Sequence, residues 1–285
     1  MKLLKFGVIS LFVISLLSSC LGDSDSEFST TSFAYVKTTE SGSSVYATTP
    51  FMDITSTEIK NMDVGSCALL YFKVKNYGSG INTTDAIDIE EENLYKSEFR
   101  TVNPTISSAD EVFPTELSFD TRYGAYNNGY YAFQSVFGDY WLFSTKFNFD
   151  TDTPVAAYFI YDKDNQIVYN ADGSINDTHT PKPGTNQIII DVRFEKNPSR
   201  DNFTAPKNQG AKYFVARMNP LRQILNPIDN TTETGSSYIL APIKFRFTKY
   251  TKDPGSNEWK SQQSVIGSWD TYSTSFRCMA FEKPE

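Results

Sequence analysis

Hydrophobic and polar residues alternate with a period of two along most of this chain. In the segment TTDAIDIEEENLY, Ile87 and Ile89 fall on one face and Asp88 and Glu90 on the other, a pattern typical of a half-buried strand. Further strand-like runs are TSFAYVKTT, SCALLYFKVKN, DYWLFSTKFNF, NQIIIDVRFEKN, AKYFVARMN and SYILAPIKFRFTKYT. Polar turns separate these runs, which predicts an all-β fold with an antiparallel sandwich in the second half.

Helix signals are confined to two short segments. STEIKNM favours one helical turn with Ser56 as its N-cap, and NPLRQILNP favours a short helix closed by Pro227. The runs VAAYFIYD and QIVYNA flank KDN, which predicts a hairpin. Asn103-Pro104 and the polar TISSAD break the strand pattern, so we place a domain boundary after residue 103. Protease is expected to cut first in PTISSADEVFP or DGSINDTHTPKPG.

Residues 1–19 have the layout of a secretory signal peptide. Two lysines precede a nearly continuous apolar run over residues 7–17, which is shorter than the roughly 20 apolar residues of a membrane-spanning helix. The tetrapeptide LSSC that ends at Cys20 resembles the bacterial lipobox, in which the cysteine is acylated and becomes the first mature residue. The resemblance predicts lipidation of Cys20, and a cleaved signal with an ordinary cysteine nearby is the alternative.

Residues 20–30 are predicted to form a flexible acidic tether. Asp23, Asp25 and Glu27 alternate with serines and resemble the acidic export signal of some Gram-negative lipoproteins. That signal sends a lipoprotein to the outer face of the outer membrane. A solvated, self-repelling tail is the alternative.

The charge balance narrows the class of partner. The chain carries 26 lysines and arginines against 34 acids, a formal net charge of −8, and cleavage before Cys20 would remove two lysines and no acid. No basic patch stands out, so neither nucleic acid nor an anionic membrane surface is expected as a partner. Membrane attachment would therefore depend on the lipid, and stable anchoring needs more than one acyl chain.

Two cysteines remain if Cys20 is lipidated. An oxidising compartment would allow Cys67 and Cys278 to form a disulfide. Cysteine thiols are among the most buried side chains, so two buried thiols are the alternative. The wide separation of the two positions favours that alternative.

The sequence contains no recognisable catalytic or metal-binding motif, and no cofactor is expected. His179, the only histidine, lies in the Pro-rich NDTHTPKPG, which predicts a solvated side chain rather than a general base. A calcium loop starting at Asp162 would need glycine and glutamate where Ile167 and Gly173 stand, so hairpin turns are predicted instead. The acids of Asp88 to Glu92 are predicted to lie on a solvated strand edge, with a cation site as the alternative.

An aromatic-rich segment, RYGAYNNGYYAFQSVFGDYW, is the candidate binding surface. Its rings lie among glycines and asparagines, where they could stack on sugars or anchor a protein partner. The alternative, which we favour, is that alternate rings fill the core of the sandwich. The candidate residues are Tyr123, Tyr126, Tyr130, Tyr131 and Trp141.

The order of these parts resembles the NigD-like lipoproteins of gut anaerobes. MDITSTEIKNMDVGSCALLYFKVKN is similar to that family's barrel, in which a turn leads to a glycine and an apolar strand. FGDYWLFSTKFNF, IIIDVRFEKNPSRDNF and ARMNPLRQI are similar to successive pieces of its sandwich, and the insert DGSINDTHTPKPG is longer than the pattern needs. The resemblance implies a small OB-like barrel over residues 31–103, an immunoglobulin-like antiparallel β-sandwich over residues 104–285 and a cell-surface accessory role.

These features predict a non-enzymatic, lipid-anchored protein of the outer membrane that faces outside the cell and binds a protein or glycan partner. A surface polysaccharide hydrolase with a carboxylate pair is one alternative, and a structural subunit of an adhesive fibre is another. A cleft that holds two acids would favour the hydrolase, an aromatic surface without such a cleft would favour binding, and a groove missing one strand would favour the fibre.

Overall fold

The fold is all-β, as the alternating pattern predicts. A computed structural model describes residues 27–75, 83–92, 95–119, 131–132, 138–148, 155–196, 211–229, 237–256 and 258–283. Within these ranges the chain forms one closed barrel and two further sheets. No helix in this part of the chain is long and apolar enough to cross a membrane.

Five strands form the barrel: β1 Phe28–Thr38, β2 Val45–Thr48, β3 Asp53–Thr55, β4 Cys67–Val74 and β5 Thr83–Glu92. They close in the order β1-β2-β3-β5-β4, with β3 and β5 in parallel and the other neighbours antiparallel. A short helix, α1 Thr57–Lys60, lies between β3 and β4. Ser56 Oγ accepts the backbone N–H of Ile59 at 3.1 Å, which confirms the predicted N-cap. The barrel is OB-like.

The two other sheets form the sandwich. Their strands are β6 Tyr95–Lys96, β7 Glu98–Arg100, β8 Glu111–Val112, β9 Glu116–Phe119, β10 Tyr131–Ala132, β11 Tyr140–Lys146, β12 Val155–Ile160, β13 Ile188–Lys196, β14 Lys212–Arg217, β15 Tyr238–Lys252, β16 Trp259–Ile266 and β17 Cys278–Glu282. The larger sheet has the order β10-β17-β15-β13-β12-β7, with β16 beside β15 and β8 beside β13; the smaller has the order β6-β14-β11-β9. Antiparallel pairs predominate, and parallel pairs include β13 with β15. The predicted second helix is α2, Asn219–Ile224.

The sandwich core is rich in aromatic rings. The centroids of Phe143, Phe159 and Phe245 lie 4.9 to 6.0 Å apart in tilted or edge-to-face pairs, which aromatic quadrupoles favour. Trp141 lies in the same core, with its centroid 5.5 Å from that of Phe245. These rings come from β11, β12 and β15, so they join the two sheets.

The barrel and the sandwich share an apolar core. Alternate residues of a strand face opposite sides, so Ala34 and Leu70 pack within the barrel while their neighbours Phe33 and Leu69 face the other way. Phe33 and Leu69 join the sandwich core, together with Cys67. Burial of apolar surface therefore holds the two units together.

A close backbone approach completes this junction. Gly138 has a φ of 58°, and a Cβ at this position would lie 2.7 Å from the Tyr35 ring, so glycine is required. The centroids of Tyr35 and Tyr140 are 6.1 Å apart. The next residue, Asp139, is fully buried, and its carboxylate accepts two hydrogen bonds of 2.6 Å from Arg222 of α2. This bidentate pair fixes the turn that presents Gly138 to the barrel.

The hairpin predicted around KDN is not formed. Strand β12 is followed by a long loop, residues 161–187, in which Tyr169 and Ile175 form an isolated bridge. The Gln166 side chain accepts the backbone N–H of Ile189 on β13 at 2.7 Å. Hydrogen bonds to the sheet thus replace strand pairing over QIVYNA, although Ile167, Val168 and Tyr169 form a strand-like apolar run.

Strands on both sides of residue 103 contribute to the sandwich. β6 and β7 precede this position and pair with β14 and β12, which belong to different sheets. Residues 95–100 therefore lie in the sandwich, whereas the strands up to Glu92 lie in the barrel. The domain boundary itself stays a prediction.

Candidate functional site

A cleft of about 560 Å³ opens on the outer face of the larger sheet. Its floor is formed by polar side chains of β13 and β15, including Asp191, Arg193 and Arg246. Tyr169 of the 161–187 loop stands on one side, and Gln263 of β16 also lines the cleft. The volume is typical of a pocket for a small molecule or a short oligomer.

The charged side chains of the floor bind one another. Arg193 Nε donates to Glu111 Oε1 at 2.9 Å, and Arg246 Nη2 donates to Asp191 Oδ2 at 2.7 Å. Such charge-assisted bonds are short and directional. Two acids and two bases leave this floor without net charge, and both carboxylates are held by guanidinium groups.

Two buried cations of β15 hold the loop that carries Tyr169. Arg246, which is 5% exposed, donates to the carbonyls of Asn165 at 2.9 Å and Ile167 at 2.6 Å. Lys244, which is 3% exposed, donates to the carbonyl of Thr178 at 2.8 Å, farther along the loop. Residues two apart on a strand share a face, so both cations reach the loop. The wall of the cleft is therefore ordered before any ligand binds, which lowers the entropy cost of binding.

His179 is half-buried, contrary to the expectation of a solvated side chain. Its Nδ1 lies 3.1 Å from Lys244 Nζ, and because an ammonium group can only donate, Nδ1 accepts and the imidazole is neutral. Burial, and then the neighbouring ammonium, lower the pKa of His179. Burial lowers the pKa of Lys244 to about 8. The ammonium also lies 4.4 Å from the centroid of the Trp269 ring, a cation–π contact.

The cleft also presents groups that the fold leaves available for a ligand. Tyr169 is 52% exposed. The side-chain amides of Asn165 and Gln263 and the hydroxyl of Thr248 form no hydrogen bond with another residue that the structure describes. A ring offers an apolar stacking surface, and amides both donate and accept hydrogen bonds. This combination suits the apolar face and the hydroxyl groups of a sugar.

An aromatic row continues from the cleft along the outer face of the sheet. The centroid of Phe113, which lines the cleft, lies 5.1 Å from that of Tyr250. The centroid of Tyr250 lies 6.3 Å from that of Trp259, whose side chain is 44% exposed. The row lengthens the surface that a bound oligomer could contact.

Trp141 cannot serve as a binding aromatic, which removes it from the candidate residues and agrees with the favoured interpretation that such rings fill the core. Its side chain is 1% exposed, because the alternation of β11 directs it between the two sheets. Tyr123, Tyr126 and Tyr130 lie outside the described residues. The backbone of Tyr131 pairs with Cys278 in β17, and its side chain is outside the described part.

Lipidation and export remain predictions, since Cys20, Asp23 and Asp25 lie outside the described residues. The carboxylate of Glu27 lies 2.6 Å from Lys73 Nζ on β4. This hydrogen bond lowers the pKa of Glu27, although a partly exposed pair of this kind adds little stability. The last acid of the predicted tether is thus attached to the barrel wall.

Cys67 and Cys278 are buried and do not form a disulfide. Cys67 lies on β4 at the junction with the sandwich core, whereas Cys278 opens β17 in the larger sheet. The structure therefore corresponds to the alternative of two buried thiols. Burial strongly raises the pKa of Cys278, which keeps this thiol protonated and unreactive.

Turns form in DKDNQIVYNADGS, although the strands that would make the first of them a hairpin do not. Asp162 Oδ1 accepts the backbone N–H of Asp164, and Asp172 Oδ1 accepts that of Ser174, both at 3.0 Å. In the ranges that the structure covers, no group of three or more His, Cys, Asp or Glu could hold a metal ion. Among the candidate acids of β5, those of residues 88, 90 and 91 are exposed.

The residues that form the cleft are absent from the sequence-based candidates. Arg193 and Arg246 occupy polar positions of alternating strands, which a sequence marks only as facing away from the core. Tyr169 falls in a run that resembles a strand. Two features of the sequence could have pointed to the cleft. One is the length of the DGSINDTHTPKPG insert, and the other is the opposite charges at polar positions of two neighbouring strands.

Three solved structures that align with most of this chain come from Bacteroides and Parabacteroides species. An uncharacterized protein of Parabacteroides merdae aligns over 90% of this chain and 100% of its own, at 13% identity and a TM-score of 0.46. A "putative lipoprotein" of Bacteroides fragilis aligns over 86% of this chain and 100% of its own, at 11% identity and a TM-score of 0.48. A DUF1344 protein of unknown function from Bacteroides vulgatus aligns over 88% of this chain and 96% of its own, at 11% identity and a TM-score of 0.40. No family model and no curated protein matches the chain. These similarities are too distant to assign a family or a function.

Proposed function

We propose that this protein is a lipid-anchored accessory protein of the outer cell surface that binds a glycan, without turnover, in the cleft of the larger sheet. The lipobox-like tetrapeptide ending at Cys20, the acids after it and the resemblance to NigD-like lipoproteins support the location. The binding role rests on one observation. The exposed ring of Tyr169 stands in a preordered cleft with the available amides of Asn165 and Gln263.

The shape and charge of the cleft support a glycan over a protein partner. Protein interfaces bury about 800 Å² on each side and are broad, whereas this site is a concave cleft of about 560 Å³. Its charges are neutralised internally, so it offers no net attraction for an ion. A neutral saccharide would use the ring for stacking and the amides for its hydroxyl groups.

The two acids of the cleft bear on the hydrolase alternative. A carboxylate-pair glycosidase needs one carboxyl group to donate a proton and a second to attack or to activate water. Here Glu111 and Asp191 both accept hydrogen bonds from arginines. Those arginines also donate to backbone carbonyls, Arg193 to that of Pro104 at 3.0 Å and Arg246 to that of Ile167 at 2.6 Å. These contacts support a structural role for the two carboxylates.

An array of neutral, acidic and amino-substituted oligosaccharides, followed by calorimetric titration of the hits, tests this function. Wild-type protein should bind, and Tyr169→Ala should weaken binding at least about fivefold, as for a truncated contact residue. Tyr272→Ala is the matched control, because Tyr272 is 96% exposed and does not line the cleft. Absence of binding to the array would contradict the proposal. Release of reducing ends that Glu111→Gln or Asp191→Asn abolishes would establish the hydrolase instead.

A further inference from the structure

A second cleft, of about 730 Å³, lies on the outside of the barrel. It is formed by the loop between β1 and β2, by β2 and β3 and by α1, and none of its residues lines the cleft of the sandwich. The residues used below are Glu40, Ser41, Tyr46, Asp53, Thr55 and Lys60. The proposed function does not involve this cleft.

The position of the cleft in the barrel points to ligand binding. In OB-like barrels, the face of strands 2 and 3 and the loop between strands 1 and 2 accommodate oligonucleotides or oligosaccharides. The barrel of this chain closes in the order β1-β2-β3-β5-β4, and the cleft of about 730 Å³ occupies that face. The position of the cleft therefore favours these two ligand classes.

Charge distinguishes the two classes. The cleft is lined by two carboxylates, Glu40 and Asp53, and by one ammonium group, that of Lys60. The whole chain carries a net charge of −8. Binding of nucleic acid depends on several cationic contacts to phosphates, and an acidic cleft would repel the backbone. An uncharged saccharide does not meet that repulsion.

The side chains of the cleft suit a saccharide. Tyr46 provides a half-buried ring, and burial raises the pKa of its hydroxyl, which stays protonated and able to donate. The carboxylates can accept hydrogen bonds from sugar hydroxyls, and Lys60 can donate one. Thr55 Oγ1 donates to the carbonyl of Val45 at 3.2 Å, which fixes β3 beside β2 under the cleft.

The loop that borders the cleft is ordered by its own hydrogen bonds. The backbone N–H of Thr39 donates to the carbonyl of Ser44 at 2.9 Å, and the N–H of Gly42 donates to the carbonyl of Thr39 at 2.8 Å. The hydroxyls of Ser41 and Ser43 are 2.7 Å apart. A preordered loop loses little entropy when a ligand binds.

We propose that the barrel cleft is a second, independent binding site for a neutral saccharide, with Tyr46 as its stacking platform. The protein would then hold a polysaccharide at two points, one on the barrel and one on the sandwich. Two linked sites raise the overall affinity for a polymer above that of either site alone.

Calorimetric titration with the oligosaccharides found on the array tests the second site in the full mature chain. Tyr46→Ala should weaken one binding component at least about fivefold and leave the component that depends on Tyr169 unchanged. Tyr46→Phe keeps the ring and should retain binding, so it separates loss of the ring from a folding defect. Tyr272→Ala is again the matched control. Thermal melting of each variant checks that the barrel is folded.

Each result bears on one site. If Tyr169→Ala abolishes all saccharide binding and folded Tyr46→Ala changes nothing, the second site is overturned and the proposed function stands. If Tyr46→Ala alone abolishes binding, the barrel site stands and the sandwich site fails. Binding of fluorescein-labelled oligothymidylate that Tyr46→Ala abolishes would also overturn the proposal, because the barrel face would then take nucleic acid.

Discussion

Lys244 shows how a single buried charge can be accommodated. Its ammonium group donates to the carbonyl of Thr178, approaches Nδ1 of His179 and lies over the ring of Trp269. Burial of a charge is costly unless partners replace the lost water. The partners here come from two loops far apart in the sequence, so Lys244 joins both loops to β15.

The protein should lose stability on mild acidification because of His179. Its pKa is lowered from 6.5 in the fold, first by burial and then by Lys244, so below about pH 6.5 the unfolded chain binds more protons than the folded chain. The stabilising contribution is present above that pH and is lost as pH falls through the lowered pKa. His179→Gln, which does not titrate, should therefore lose less stability than wild type between about pH 7 and pH 5. Urea unfolding at each pH measures the difference.

Lys244→Met serves as the control for this prediction. Without the ammonium group, part of the cause of the lowered pKa of His179 is gone. In the Lys244→Met background, the proteins with His179 and with His179→Gln should then differ less in how much unfolding free energy they lose on acidification. If the difference in the free energy of unfolding between wild type and His179→Gln does not change with pH, the imidazole is not held neutral.

Sequence-based prediction at the residue scale succeeds where the cause is local. Ser56 caps its helix because the capping oxygen and the N–H of Ile59 are three residues apart. The burial of Trp141 and of His179 has no such local cause, because it depends on which distant segment covers the side chain. The pattern around Trp141 is compatible with either face of a strand, and only the packing of the second sheet decides between them.

At the scale of elements, the 161–187 loop is the largest departure from prediction. Its segment QIVYNA resembles a strand in the sequence, and its glycines and prolines suggest exposure to protease. In the fold, Arg246 and Lys244 hold the carbonyls of the loop from below. The strands themselves were predictable because burial on one face leaves a period of two in the sequence. The conformation of the loop was not predictable, because its hydrogen bonds join segments tens of residues apart.

The loop should resist limited proteolysis in the wild type and become the first site of cleavage in Arg246→Met. This change leaves the Asp191 carboxylate and the loop carbonyls without their donor, and breaking such a buried pair costs about 3–5 kcal/mol of the free energy of unfolding. Mass spectrometry of thermolysin fragments identifies the first cut.

Arg193→Met is a matched control for this experiment. Arg193 is also bound to an acid, Glu111, and to the carbonyl of Pro104, but no described hydrogen bond joins it to the 161–187 loop. Its replacement should expose the region of Pro104 and leave the loop protected. If thermolysin cuts the wild-type loop first, or cuts it equally in both variants, the two cations do not hold it.

At the scale of the whole molecule, the proposed location rests on the amino-terminal segment. If Cys20 carries the lipid, Cys20→Ala should abolish incorporation of a palmitate analogue and release the protein from the membrane fraction. Labelling of the variant as strong as that of wild type would contradict lipidation at this position.

Export to the outer face is tested separately. Asp23→Ala combined with Asp25→Ala removes two acids of the predicted signal and keeps the Glu27 contact with Lys73. Protease added to intact cells should then degrade wild type and spare the double variant, while both remain lipidated. Equal degradation would favour a merely solvated tail.

If a lipid anchors the protein at its amino terminus, as proposed, the course of β1 has a mechanical consequence under load. Phe28 at its beginning pairs with Val74, and Tyr35, seven residues on, meets the sandwich through Gly138. A tensile force between a lipid at the amino terminus and a polysaccharide held by the sandwich would therefore run along the strand. The hydrogen bonds between β1 and β4 would be sheared together rather than peeled apart singly. Shear loading of this kind would give the barrel a high resistance to rupture.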